Sequence, residues 1–311
     1  MSFAGYSFCK PHSASYAQVS FKSAYIRVHY PAEFIAAVVS NQGGYYSSFA
    51  YLSEGRRMGL TILPPDINAS EWAYTGTRKT VRIGLMQVKS LHEHVGKQIV
   101  SHRQAHGPFQ SLKDFLSRVN PEVAQATLLI NAGCYDSIAG ELTRPALLWR
   151  LFASQTTKPR GYLPIPPEYA VEQKLAHELE LFGFPLSCHP LDLFKEVLAR
   201  IPHIPAKELP QHVGEDVTVI GWLVTEKIIS TKKGDPMEFV TFEDQTGLYD
   251  ATLFSNTYRR YCHLLALNQA YAVTGRVEEQ FSTVSFMVSS LTLLASPYAE
   301  IDDETVEEVA G

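Results

Sequence analysis

The chain has 311 residues, 45% of them hydrophobic and 19% charged, with a formal net charge of -5 at pH 7. That length exceeds a single core, because one domain usually spans roughly 100 to 200 residues, and that composition excludes disorder of the chain as a whole. No stretch has the order of a signal peptide or approaches the ~18 apolar residues of a membrane span, and Cys9, Cys134, Cys188 and Cys262 are too widely spaced for a zinc site or disulfide framework, so a cytoplasmic protein without membrane contact is expected.

The overall charge hides an asymmetry. Residues 1–115 carry twelve Lys and Arg against six Asp and Glu, whereas residues 298–311 carry six acids and no base. A basic front followed by an acidic tail is compatible with a nucleic-acid partner.

In chain order, Pro11 to Tyr30 mixes aromatic and basic residues at helical spacing, and Pro31 suits the first position of a second helix that closes at Asn41-Gln42-Gly43-Gly44. A third helix is expected from Tyr45 to Met58. Leu60 to Leu63 and Thr80 to Gly84 read as two short strands lying side by side. Residues 85–154 return to short helices broken by Gly96, Gly107-Pro108, Pro121, Gly133 and Gly140. Gln155 to Pro167 is the linker candidate, and a helical segment from Glu168 to about Ile201 is interrupted at Gly183-Phe184-Pro185.

Beyond Pro202 the period changes from helical to alternating. The runs VTVIGWLVTEKIIS, MEFVTFED, LYDATLF, AYAVTGRVEE and TVSFMVSSLTLL, with a helical NTYRRYCHLLAL between the third and fourth, follow the strand order of an OB-fold barrel. The expected class is multidomain α+β, helical regions first and a five-stranded barrel last. The tail, 298–311, is expected to be disordered.

Catalysis on a pair of metal ions needs carboxylates converging on ions about 4 Å apart, and the sequence offers no Asp-x-Asp. Glu243-Asp244 reads as turn chemistry, and Asp302-Asp303-Glu304 as a solvated tail. No catalytic residue, metal ligand or cofactor is expected in this chain. His92, His94, His102 and His106 read as surface histidines, lacking a carboxylate or Cys in register.

Several blocks together resemble the alpha subunit of bacterial DNA polymerase III and its error-prone relatives. They are FAGYSFCKPHSASYAQVSFKSAYIRVHYPAEFIAA, RMGLTILPPDIN, LLINAGCYDSI, LFGFPLSCHPLDLF and the run from VTVIGWLVTEKIIS to LYDATLF, in the family's order. The resemblance implies an end-of-fingers region at 1–83, a helix-hairpin-helix region at 84–154, a linker and helical segment at 155–214, an OB fold at 215–297 and the tail. The family's phosphoesterase-like and palm domains would precede residue 1, so the chain is expected not to polymerise alone. Magnesium is then expected only in a palm-containing partner.

The resemblance also assigns candidate sites. Lys10, His12 and Ser13 fall where the family faces the incoming nucleotide's phosphates, with Cys9 and Pro11 replacing the usual Asn and Ser. In the hairpin, Ser90-Leu91-His92 stands where Gly-x-Gly would let backbone amides approach phosphate, leaving Lys89, Lys97, His102 and Arg103 as candidates. In the OB unit, Trp222, Lys227, Lys232, Lys233, Phe239, Phe242, Tyr249 and Arg276 are the candidates for stacking and phosphate contact, and Phe239 and Phe242, of opposite parity, cannot share a face. The family's internal sliding-clamp motif would lie near 155–180, but neither Gln155 nor Gln173 is followed by aromatics, which counts against clamp binding. Single-stranded or primed DNA and a separately encoded palm-containing half are the expected partners. The alternative is a free-standing DNA-binding module without a polymerase partner.

Overall fold

The computed structural model describes residues 10–42, 46–154, 165–231, 234–280 and 283–294. They divide between two compact units, one drawn from Met1–Gly44 and Tyr51–Pro166, the other from Tyr45–Ala50 and Pro167–Gly311. Residues 155–164 of the expected linker, Gln155 to Pro167, and the acidic tail lie outside the described residues.

The first unit opens with α1 (Lys10–His29), α2 (Pro31–Asn41) and the greater part of α3 (Ser48–Arg57), whose residues Ser48 to Ala50 are counted with the second. Pro31 starts α2 at no cost in hydrogen bonds, and Gln42 ends it in the left-handed conformation, φ 50°. Ala32, Ile35, Ala36 and Val39, spaced for one helix face, are buried. They pack on a sheet of three short strands, β1 (Thr61–Leu63), β2 (Thr75–Thr77) and β3 (Thr80–Arg82), in the order β1-β3-β2. Only β1 and β3 are visible as strand patterns in the sequence. β2 has three residues centred on Gly76, a poor strand former, yet glycine is needed there because a Cβ would stand 2.2 Å from the Ala32 carbonyl oxygen.

Next come α4 (Glu93–His106), α5 (Leu112–Val119), α6 (Val123–Asn131) and α7 (Arg144–Ser154). Ser111 caps α5 by accepting from the Asp114 amide, and Asn120 closes it at φ 48°. Phe109, Phe115 and Tyr135 form an edge-to-face aromatic core at centroid spacings of 5.1 Å.

In the second unit, α8 (Val171–Phe182) ends at Gly183, φ 79°. The helix expected to resume toward Ile201 is instead a 3-10 turn at Pro190–Phe194 and the one-turn α9 (Lys195–Leu198). Side-chain caps organise this stretch: the buried Glu178 carboxylate accepts from the amides of Leu186 and Ser187 and from the Ser187 hydroxyl, while His189 and Asp192 form a capping box.

The described residues then form β4 (Asp216–Ser230), β5 (Pro236–Glu243), β6 (Leu248–Leu253), α10 (Ser255–Tyr261), β7 (Ala270–Gln280) and β8 (Thr283–Leu293). The strands close as β4-β5-β6-β8-β7, with β6 and β8 parallel. This is the five-stranded OB barrel, its helix between the third and fourth strands. Alternation sends Val219, Leu223, Val240, Phe242, Ala251, Val273, Val277 and Phe286 inward. Gly275 marks a bulge where β7 and β8 nearly touch, since a Cβ there would lie 2.2 Å from the Met287 carbonyl oxygen.

Candidate nucleic-acid interface

On β4 to β6, the register aligns Lys227 opposite Phe239 and Phe239 opposite Thr252. Phe239 lies between the buried Glu238 and Val240 and faces outward, 44% exposed. Lys227 is also exposed. Directly opposed side chains across neighbouring strands sit about 5 Å apart, so an aromatic face and an ammonium group share one outer surface. Such a pair can stack a base and attract its phosphate. Two residues along, Thr241 stands opposite Asp250 and donates its hydroxyl to that carboxylate at 2.7 Å.

The β4–β5 connection begins three residues beyond this pair on both strands, after Ser230 and before Pro236. Its base is fixed by the Thr231 amide donating to Asp235 O, by the Asp235 amide donating to the Thr231 hydroxyl, and by Gly234 at φ 84°. Asp235 is also an ion partner of Arg259 on α10. Lys232 and Lys233 lie outside the described residues.

The remaining barrel candidates part from this surface. Tyr249 is a core residue, 6% exposed and stacked on Phe242 at 5.5 Å, which corrects the expectation that it offers a platform to DNA. Burial holds its hydroxyl far above the usual phenol range, with Asp244 adding to the shift. Trp222, also 6% exposed, is covered as well, which corrects its assignment too. Phe242 is fully buried and Phe239 is not, as their opposite parity requires. The row does continue from Thr252 to Met287 and from Met287 to Arg276. Because the barrel is closed, Arg276 lies further around it than Lys227, where it meets Asp216 at 3.4 Å.

In the first unit, the turn preceding α4 forms without glycine. Ser90 adopts φ 65°, and the buried Gln125 amide clamps the turn, accepting from the His92 amide at 2.7 Å and donating to the Ser90 carbonyl at 3.1 Å. Lys89 is exposed on this turn. Lys97 is exposed but paired with Glu93 at 2.7 Å. Glu93 sits in the first turn of α4, where it favours the helix dipole and opposes an incoming phosphate.

Arg103 corrects the phosphate-gripping expectation. Its guanidinium donates to the carbonyls of Ile67 and Ser70 and pairs with Glu71 at 2.6 Å, with its side chain 11% exposed. His102 is half-buried, and its carbonyl accepts from Arg118 at 2.7 Å. Among the described residues no group of three His, Cys, Asp or Glu is placed to hold a metal ion. At the start of α1, His12 is exposed, with its ring 4.5 Å from that of Tyr16, and Ser13 is half-buried; nothing is described of the Lys10 side chain.

The most conspicuous apolar surface is on α1. Tyr16, Val19, Phe21, Tyr25, Ile26 and Val28 are between 42% and 79% exposed, on all sides of one 20-residue helix. No described helix is long and apolar enough to cross a membrane, so these residues are not part of such a span.

Residues 59–146 match the helix-hairpin-helix motif family and residues 217–294 match the OB-fold nucleic acid binding domain family. The chain is 31% identical to the error-prone DNA polymerase of Symbiobacterium thermophilum, over 94% of this chain and 32% of that protein. It is 31% identical to the DNA polymerase III subunit alpha of Saccharopolyspora erythraea, over 97% of this chain and 28% of that one, and 31% identical to that of Aquifex aeolicus, over 93% and 26%. The chain thus spans about a third or less of the length of these curated relatives.

Proposed function

We propose that this chain, a homologue of a C-terminal part of DNA polymerase III alpha subunits and error-prone DNA polymerases, holds template and primer DNA for a C-family polymerase. The outward pairing of Lys227 with Phe239 on the OB barrel carries this reading. A single strand would stack on Phe239 with its backbone toward Lys227 and the loop bearing Lys232 and Lys233, and Asp250 would repel phosphates from the opposite side. The hairpin at Ser90 is a weaker duplex contact: its backbone has the necessary turn, but Glu93 stands where phosphate would approach.

α1 supports a polymerase partner over a free-standing module. Six apolar side chains exposed on one helix suit burial against another protein surface, and in this reading the surface is the palm-bearing part of the polymerase. Fluorescence anisotropy with labelled single-stranded and primed DNA across a salt series tests the DNA-holding role. Affinity that falls with salt and weakens in K227A/K232A/K233A is expected. Indifference to both salt and substitution contradicts it.

A further inference from the structure

We propose that the tip of the β2–β3 hairpin, Arg78-Lys79, is a second phosphate contact on the nucleic acid, separate from the helix-hairpin-helix turn and from the barrel. The inference rests on the nucleic-acid reading above. Its own support is local to the hairpin. β2 and β3 are joined by only two residues, and both are exposed cations. Neither has an ion partner among the described residues. Flanking them are Thr77 and Thr80, so the tip reads Thr-Arg-Lys-Thr, hydroxyls and cations with no acid and no apolar group.

The backbone at this tip is set against its own residue type. Arg78 adopts φ 56°, a conformation that glycine takes freely and that other side chains adopt rarely. Two-residue hairpins ordinarily place Gly, Asn or Asp at such positions. An arginine there gives the turn nothing that glycine would not, and it adds a charge at the exposed tip.

The tip is also held firmly at its base. Val81 is fully buried, pairs with Ile62 on one side and Gly76 on the other, and Gly76 lies so close to α2 that no Cβ fits. A guanidinium fork beside an ammonium on a fixed turn suits the oxygens of a phosphodiester, and pre-organisation lowers the entropy cost of engaging them.

The test uses the full chain carrying R78G/K79S, with K195S/K207S, two exposed lysines of the other unit, as a control of equal net charge. Because glycine relieves the left-handed conformation, the hairpin variant should melt no lower than the unaltered chain. On primed DNA, the salt dependence of its affinity should flatten by about two in slope, each lost phosphate contact removing roughly 0.9. Its affinity near 0.1 M salt should fall roughly tenfold or more, and the control should retain the slope of the unaltered chain. An unchanged slope in R78G/K79S, or an equal loss in the control, overturns the hairpin contact while leaving the DNA-holding role standing. Failure of the unaltered chain to bind any DNA overturns both.

Discussion

Three arginines of the helix-hairpin-helix unit and Lys227 of the OB barrel are used in opposite ways. In the helical unit, Arg103, Arg118 and Arg144 are turned inward onto carbonyls: Arg103 onto Ile67 and Ser70, Arg118 onto His102 and Gly107, Arg144 onto Asn131. Arg118 also lies 4.2 Å over the ring of Phe109. These side chains satisfy backbone groups at helix ends and loop crossings that would otherwise be buried without partners. In the barrel, backbone groups are satisfied by the strand ladder, and Lys227, with no ion pair among the described residues, is exposed on the outer surface beside an aromatic ring. A count of basic residues therefore overstates the exposed positive charge of the first unit, and it misses that in the second one lysine and one phenylalanine share a face.

The largest effect should break the first half of that contrast. R103A removes the donors for two carbonyls and the partner of Glu71, and should cost about 3 kcal/mol of stability. Thermal melting and a DNA salt series on the same sample check it, and the salt slope should not change. A loss of slope without a loss of melting temperature would return Arg103 to the DNA surface.

The second prediction concerns the outer face. F239A should lose roughly 1 to 3 kcal/mol of single-strand affinity, the usual worth of one stacked base, while its melting temperature stays within a few degrees because the ring is exposed. Y249A should do the reverse, unfolding the barrel through loss of core packing. The two aromatics together separate platform from core.

A third prediction comes from a carboxylate on the inner side of the same strand. Burial pushes the Glu238 carboxyl up to about 7, and Glu226 adds to the shift. Its folded pKa lies above the unfolded value, so its contribution is full below about 4.5 and is lost as pH rises through 7. E238Q should therefore raise stability by about 2 kcal/mol at pH 8 and by little at pH 5, as denaturant melts at the two pH values would record.

Much of this was legible in the sequence, for identifiable reasons. The barrel's strands are long and alternate, so their order and the intervening helix follow from period alone, and the outward turn of one of Phe239 and Phe242 follows from parity. Which of the two faces out depends on register, and the bulge between Leu223 and Thr225 shifts the phase relating β4 to β5. That shift hides from the sequence that Lys227 meets Phe239. Trp222 and Tyr249 looked like platforms because an aromatic in a strand has the same pattern on either face. Arg103 looked available because the carbonyls it serves lie more than thirty residues away along the chain. The resemblance placed a turn at Ser90-Leu91-His92, whereas the Gln125 amide that holds it could be found only in the fold.

The smallest expected effect sharpens the barrel face itself. D250N removes a carboxylate two residues from Thr252 on the face proposed to meet DNA and should strengthen single-strand binding a few-fold at low salt, less at high salt. An unchanged affinity would move the strand away from β6.

The most direct test of the central claim is photocrosslinking of the unaltered chain to single-stranded DNA bearing bromodeoxyuridine, with the adducts located by mass spectrometry. The predicted result is an adduct on Phe239 or its neighbours on β4–β6, competed away by unlabelled single strand. Adducts confined to the first unit, with none on those three strands, would contradict the account.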